Sequence, residues 1–247
     1  MRGRGLRRIV FLLAFLWSTG ASAQYSDSVF YYAGLTSTAT FNKTTGSSSY
    51  LINNGVKLGT KKKDVTINSN NRWLYGRQDE GLTNNDFSSV WDLNLYKTFP
   101  HFYYWGLLNY NSTYSLKINN QLQAGIGVAY NFFDKKEFTL NVSDGIIYDY
   151  SDLILEEGVR EVYGTPRNSF RLQIKCNLKD KLVFSGTGFL QNSLQDLDDY
   201  IIKSDLSLSV KLKKWLSITS AYSFNQMTRT HTESWLLTYG ITLENYF

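Results

Sequence analysis

Two histidines, a loop rich in hydroxyls, two runs of acids and a single cysteine are the residues of this 247-residue chain whose types could do chemistry. His231 stands among Thr228, Thr230, Thr232, Glu233 and Ser234, which together have the composition of a hydroxyl, base and acid relay. Such a relay works only if the base lies within hydrogen-bond reach of the nucleophile, and neighbours along a strand point to opposite sides. Residue type therefore does not make a triad here. His101, the second imidazole, is expected in a turn at the opposite end of the molecule. Asp149, Asp152, Glu156, Glu157 and Glu161 form one acidic run, and Asp196, Asp198 and Asp199 another. Oxygen-rich clusters can hold a hard cation, but this spacing matches no calcium loop, and solvated loop charge is the expected reading. Cys176 has no second cysteine to pair with and no neighbouring histidine with which to ligate a metal. A glycine-rich phosphate loop is also missing. No catalytic residue, metal or cofactor is expected.

More regular is a set of charges that recurs at alternate positions: Lys57, Arg72, Asp92, Arg171, Lys175, Lys203, Asp205, Lys211 and Glu244. Each has an apolar residue at one or both of the adjacent positions, a period of two that belongs to strands. The closing stretch, Ser234 to Phe247, shows the pattern most fully. Trp235, Leu237, Tyr239, Ile241, Leu243 and Phe247 fall on one face, and Thr238, Gly240, Thr242 and Glu244 on the other. Aromatics stand at both ends of its apolar face, as where a strand crosses hydrocarbon with its ends at headgroup level. Segments of the same kind fill the chain, for example Leu122 to Phe132, Phe170 to Leu178 (which turns Cys176 outward) and Ile202 to Leu212. They number about twelve, without a helical period or a linker.

Composition agrees with this reading. Aromatics make up 16% of the chain, only 2 residues are Pro, and the mean hydropathy of −0.30 is too low for a bundle of membrane helices. Arg2, Arg4, Arg7 and Arg8 precede an apolar run from Ile9 to Trp17 and the small residues Ala21-Ser22-Ala23, the three parts of a secretory signal peptide over residues 1–23. Residues 24–247 are then one domain. Without those four arginines the formal charge falls from +5 to +1, so no nucleic-acid partner is expected.

The connections carry a further regularity. Tight, mostly basic turns are expected at Lys61 to Asp64, Thr98 to His101, Phe133 to Lys136, Lys179 to Lys181 and Lys213-Lys214. Longer loops are expected at Arg77 to Asp86, Asn111 to Asn120, Asp149 to Asn168, Asn192 to Asp199 and Gln226 to Glu233. Long and short connections alternate in this way when an antiparallel up-and-down barrel crosses an outer membrane. The expected fold is thus an all-β transmembrane barrel of about 12 antiparallel strands. A soluble barrel with its apolar face inward would produce the same alternation; only the facing of the strands distinguishes the two.

The stretch Leu122-Gln123-Ala124-Gly125-Ile126-Gly127-Val128-Ala129-Tyr130, the Leu and Ser alternation from Asp205 to Leu216 ending in Lys-Lys-Trp-Leu, and the closing strand resemble the DUF481 family of uncharacterised outer-membrane proteins. The resemblance implies a barrel in the bacterial outer membrane and no established activity. The closing strand also resembles those that insertion machinery recognises, with Tyr239, Ile241, Leu243 and Phe247 as the signal; Asn245 departs from that pattern. The partners expected are therefore membrane lipid and that machinery, with oligomeric state open. The nine charges are expected to face the lumen, where basic residues outnumber acids and a field favouring anions would result. They suit a narrow solute channel, or a closed envelope barrel whose charges satisfy one another. A third, phospholipase-like reading would require lipid hydrolysis to be lost in His231→Ala.

Overall fold

The computed structural model describes residues 30–246 except 100, 156 and 157, with the side chains of 97–99 and 246 also set aside. The expected signal peptide and Phe247 lie outside the described residues. Twelve strands follow one another: β1 (Tyr31–Lys43), β2 (Ser48–Lys62), β3 (Val65–Gln78), β4 (Gly81–Phe99), β5 (Phe102–Thr113), β6 (Ile118–Asp134), β7 (Phe138–Ile154), β8 (Arg160–Leu178), β9 (Leu182–Ser193), β10 (Tyr200–Lys213), β11 (Leu216–Met227) and β12 (Thr232–Tyr246). Each pairs antiparallel with its neighbours in sequence, and β1 pairs with β12 from Tyr32↔Tyr246 to Thr38↔Gly240, closing the ring. Closure removes both sheet edges, so every strand finds hydrogen-bond partners within the chain, a requirement in hydrocarbon.

The facing of the strands settles the choice between a soluble and a membrane barrel. Along β7, Asn141, Ser143, Asp149 and Ser151 are buried, while Ile146, Tyr148 and Tyr150 are exposed. Along β6, Gln121 and Gln123 are buried between exposed Leu122, Ile126 and Val128, with Ile126 74% exposed. A polar inside under an apolar outside is stable only if the outside meets lipid. The protein is a transmembrane barrel.

Aromatic rings mark both edges of the apolar belt. At the end carrying the chain termini, here the terminal end, Phe102 lies 4.7 Å from Tyr130 and Tyr130 4.9 Å from Phe132. At the other, distal end, Phe41, Tyr50, Tyr75 and Trp73 form a chain at 6.5, 6.2 and 5.8 Å. Rings with one apolar face and one polar tip belong at the boundary between headgroups and acyl chains.

Terminal-end turns fall in the expected segments, most of them basic: Lys63-Asp64, His101, Lys135 to Glu137, Lys179 to Lys181 and Lys214-Trp215. The distal connections correct the expectation of long loops. Strand pairing continues through most of the expected loop residues, as far as Gln78↔Gly81, Thr113↔Ile118 and Ile154↔Arg160. What remains are short connections, from Asp79-Glu80 to Leu194–Asp199. Polar composition suggested loops because these extensions point polar side chains inward, where a membrane barrel is polar anyway.

Several tight turns use a residue other than glycine in the left-handed region, including Lys63, Asp79, Lys179 and Asp180. Asp180 accepts hydrogen bonds from Asn177 (2.7 Å) and Lys136 (3.2 Å), and these partners, in that order, hold its carboxyl below the usual carboxylate range.

Candidate functional site

The lumen is where the chain gathers its charge. Arg72 on β3 and Asp205 on β10 stand five strands apart by the shorter way round the ring, yet their side chains meet at 3.4 Å. They can do so only across the lumen. Ser223 on β11 completes the crossing, accepting from Arg72 at 3.1 Å and donating a short hydrogen bond to Asp205. A second crossing joins Arg171 on β8 to Asp92 on β4, four strands away, at 3.7 Å. Arg171 also donates to Ser143 at 3.0 Å and lies 6.0 Å from the rings of Trp105 and Phe189.

Trp105 is the largest apolar body inside. Its indole lies against Gly127 and Gly145, donates to the Val128 carbonyl at 3.2 Å, and packs with Tyr103, Ala129 and Ile147. Both glycines are required by this approach: a Cβ on Gly145 would come within 2.4 Å of the Ile126 carbonyl oxygen and 2.5 Å of the indole. The space beside Asp92, Trp105, Arg171 and Phe189 measures ≈ 10 Å³, room for about one water.

Lys203 lies within electrostatic reach of Asp149 and Asp205. Nearer the terminal end come Lys57, Lys175, Lys211 and Glu244. Glu244 and Lys57 flank Gly34 in register across β12, β1 and β2, and Lys175 feels both of them as well as Lys211. The nine charges anticipated from strand period thus occupy two cross-lumen pairs, Lys203 beneath the distal layer, and a terminal group.

Above these pairs the lumen is sealed by residues absent from that set. Arg167 on β8 is fully buried. Its Nε donates to Asp149 at 2.7 Å, its Nη2 to both carboxylate oxygens of Asp199 at 2.9 Å and to the Tyr163 hydroxyl at 2.7 Å, and its Nη1 to the Asp199 carbonyl at 3.1 Å. Asp149, also fully buried, accepts further from Gln121 and Ser151. Amide contacts lie below: Asn109 donates to Gln123 at 2.9 Å, and Gln123 donates across the lumen to Gln191 at 3.1 Å. Leu116, Ile118, Leu153, Ile201 and Met227 form an apolar cap over the distal mouth. Arg229, in the turn after β11, straps the cap down through Glu161 at 2.7 Å and stacks 4.0 Å over Tyr163. That pair, above all its hydrogen bond with Glu161, holds the Arg229 guanidinium above its ordinary value.

Asp149 and Asp199 therefore correct the expectation of solvated loop acids. Both are buried counter-ions, and Asp152 is buried as well, paired with Arg160 at 2.7 Å, while Asp196 and Asp198 are exposed. Glu156 and Glu157 lie outside the described residues. A signal for Arg167 was present in the sequence: continuing the inward parity of Arg171 back along the strand gives Ser169, Arg167 and Thr165, all of them buried. Among the described residues no group of three or more His, Cys, Asp or Glu could hold a metal ion.

The two histidines sit in turns at opposite ends of the barrel, both in the left-handed region, His101 at φ 66° and His231 at φ 49°. The His231 backbone N–H donates to the Thr228 carbonyl at 3.0 Å. Among the described residues neither imidazole makes a side-chain hydrogen bond, so the relay suggested by composition is not assembled. His231→Gly should raise stability by up to about 1 kcal/mol by relieving the left-handed backbone; a fall in the unfolding midpoint would show that the imidazole holds the turn.

Of the closing-strand signal, Tyr239 and Ile241 are exposed on the outer face and Leu243 is half-buried. Residues 36–242 match the family model described as "Protein of unknown function, DUF481". The chain belongs to the DUF481 family. No curated protein matches it. Among solved structures, the translocator domain of the autotransporter NalP from Neisseria meningitidis is 15% identical, with 98% of this chain and 94% of that chain covered and a TM-score of 0.50. The NanC porin is 8% identical, with 87% and 100% covered and a TM-score of 0.54. At these identities the likeness is one of fold: this DUF481 member shares the barrel architecture of outer-membrane proteins.

Proposed function

We propose that the protein is a narrow bacterial outer-membrane channel for small anions, with its termini toward the periplasm and its distal end closed in the state described. The observation that carries this reading is the change in solvent exposure along the lumen. The side chains of Arg72 and Asp205 are 39% and 53% exposed, whereas those of Arg167 and Asp149 are 0% exposed. A wet, polar, mostly basic passage leads from the terminal end to a seal made largely of ion pairs and amides, contacts that can exchange partners. Basic side chains exceed acids along the passage, which favours anions. The secretory signal expected over residues 1–23 and the resemblance of the closing strand support the location, and the NanC barrel, described as a porin, supports the class.

The test is single-channel recording of the refolded mature protein in a planar bilayer, with Arg171→Glu and Lys175→Glu alongside. Brief openings with anion preference are expected, the preference falling or reversing in both variants. The apolar cap favours a second reading, a permanently closed envelope barrel, because Leu116, Ile118, Leu153, Ile201 and Met227 contain no charge to release. Absence of current from a demonstrably folded barrel at all voltages would replace the channel with that reading.

A further inference from the structure

We propose that the terminal half of the lumen is a binding cup for a compact, multivalent, soluble oxyanion of the phosphate class, held by Lys57, Lys175 and Lys211. Strand register sets the geometry. Lys57 on β2 lies opposite Gly34 and Asn70, Lys175 on β8 opposite Thr139 and Ser185, and Lys211 on β10 opposite Ser217. The three thus rise from well-separated parts of the wall; small or polar residues face Lys175 and Lys211, while the Tyr32 ring covers Gly34 beside Lys57. Lys175 lies within electrostatic reach of both other lysines and of Glu244.

Glu244 is the acid facing this group, one carboxylate toward three ammonium groups. As residues Lys57 and Lys175 are exposed and Lys211 is half-buried, so water reaches this part of the lumen. The ceiling of the cup is the Arg171–Asp92 crossing, and the rim carries further lysines, among them Lys63, Lys179 and Lys214, which add to the positive field at the entrance. Walls of low dielectric focus such a field into the opening. Lysine heads are flexible point charges that suit a compact phosphate-type ion, whereas planar carboxylate recognition would favour the arginine fork.

The inference deepens the anion-channel reading without depending on it, because a blind cup binds whether or not the distal seal opens. The experiment is calorimetric titration of the folded, detergent-solubilised mature barrel with sodium tripolyphosphate at about 0.15 M ionic strength, where the Debye length is about 8 Å. Lys175→Gln and Lys211→Gln are compared with the rim variant Lys63→Gln and the distal variant Lys117→Gln, each checked for folding by heat-modifiable migration on gels. Saturable one-to-one binding is expected, weakened about tenfold by either lumenal substitution, a change of about 1.4 kcal/mol, and abolished by their combination. Lys117→Gln should bind as wild type and Lys63→Gln within about twofold, since exposed charges beyond a Debye length are screened. No binding by wild type, or binding weakened by Lys63→Gln and indifferent to Lys175→Gln and Lys211→Gln, would overturn the cup. Current recordings decide the channel separately: binding without current keeps the cup and removes the channel, and current without binding does the reverse.

Discussion

Arg167→Met should lower the unfolding free energy of the barrel by about 3–5 kcal/mol, the cost of leaving buried charge uncompensated. Two carboxylates depend on this guanidinium, Asp149 and Asp199, which are 0% and 3% exposed, and the substitution leaves both without their principal cation. Arg229 approaches Asp199 at 3.4 Å and can retain that partner in part, so Asp149 bears most of the loss. Urea unfolding in detergent, read by tryptophan fluorescence, measures the effect. Removing the whole network, with Arg167→Met, Asp149→Leu and Asp199→Asn together, should recover much of the loss, because no charge then remains buried without a partner. A triple variant no more stable than the single one would show that the network holds the distal strands by its geometry and not by charge balance. In the channel reading the single variant also loosens the seal, and its open probability should rise.

Trp105→Ala should cost about 3 kcal/mol, toward the lower end of the range for a buried aromatic, because water from the terminal passage can enter the space left behind. The indole fills the groove made by Gly127 and Gly145 and forms one wall beside Arg171. Its loss widens the lumen at the Arg171–Asp92 crossing, so any current through the barrel should rise in size as well as frequency. The same urea titration and bilayer recordings read both effects. Unchanged stability would mean that the Gly127–Gly145 groove contributes nothing beyond the strand pairing itself, and unchanged current size would place the narrowest point elsewhere, at the distal seal.

The sequence by itself determined that about twelve strands follow one another and which residues of each share a face, because a strand has a period of two; given a membrane setting, lipid then demands that the apolar set lie outside. Arg72, Arg171 and Asp205 were legible as inward charges on that ground. Parity gives the side of the wall but not the height along it. Closing a barrel staggers and tilts the strands, so which charge meets which across the lumen is decided only when the ring closes. The meeting of Arg72 with Asp205, 133 residues apart in the chain, and of Arg171 with Asp92 belongs to the tertiary structure. So does the seal. Asp149, Arg167 and Asp199 read as loop residues because their neighbourhood is polar; β7 and β8 keep pairing beyond the apolar belt and carry Asp149 and Arg167 over the distal mouth, where Asp199, in the connection before β10, meets the Arg167 guanidinium. Whether a polar residue in such a barrel is wet or buried depends on what crosses the lumen above it, and that is not encoded in its own strand.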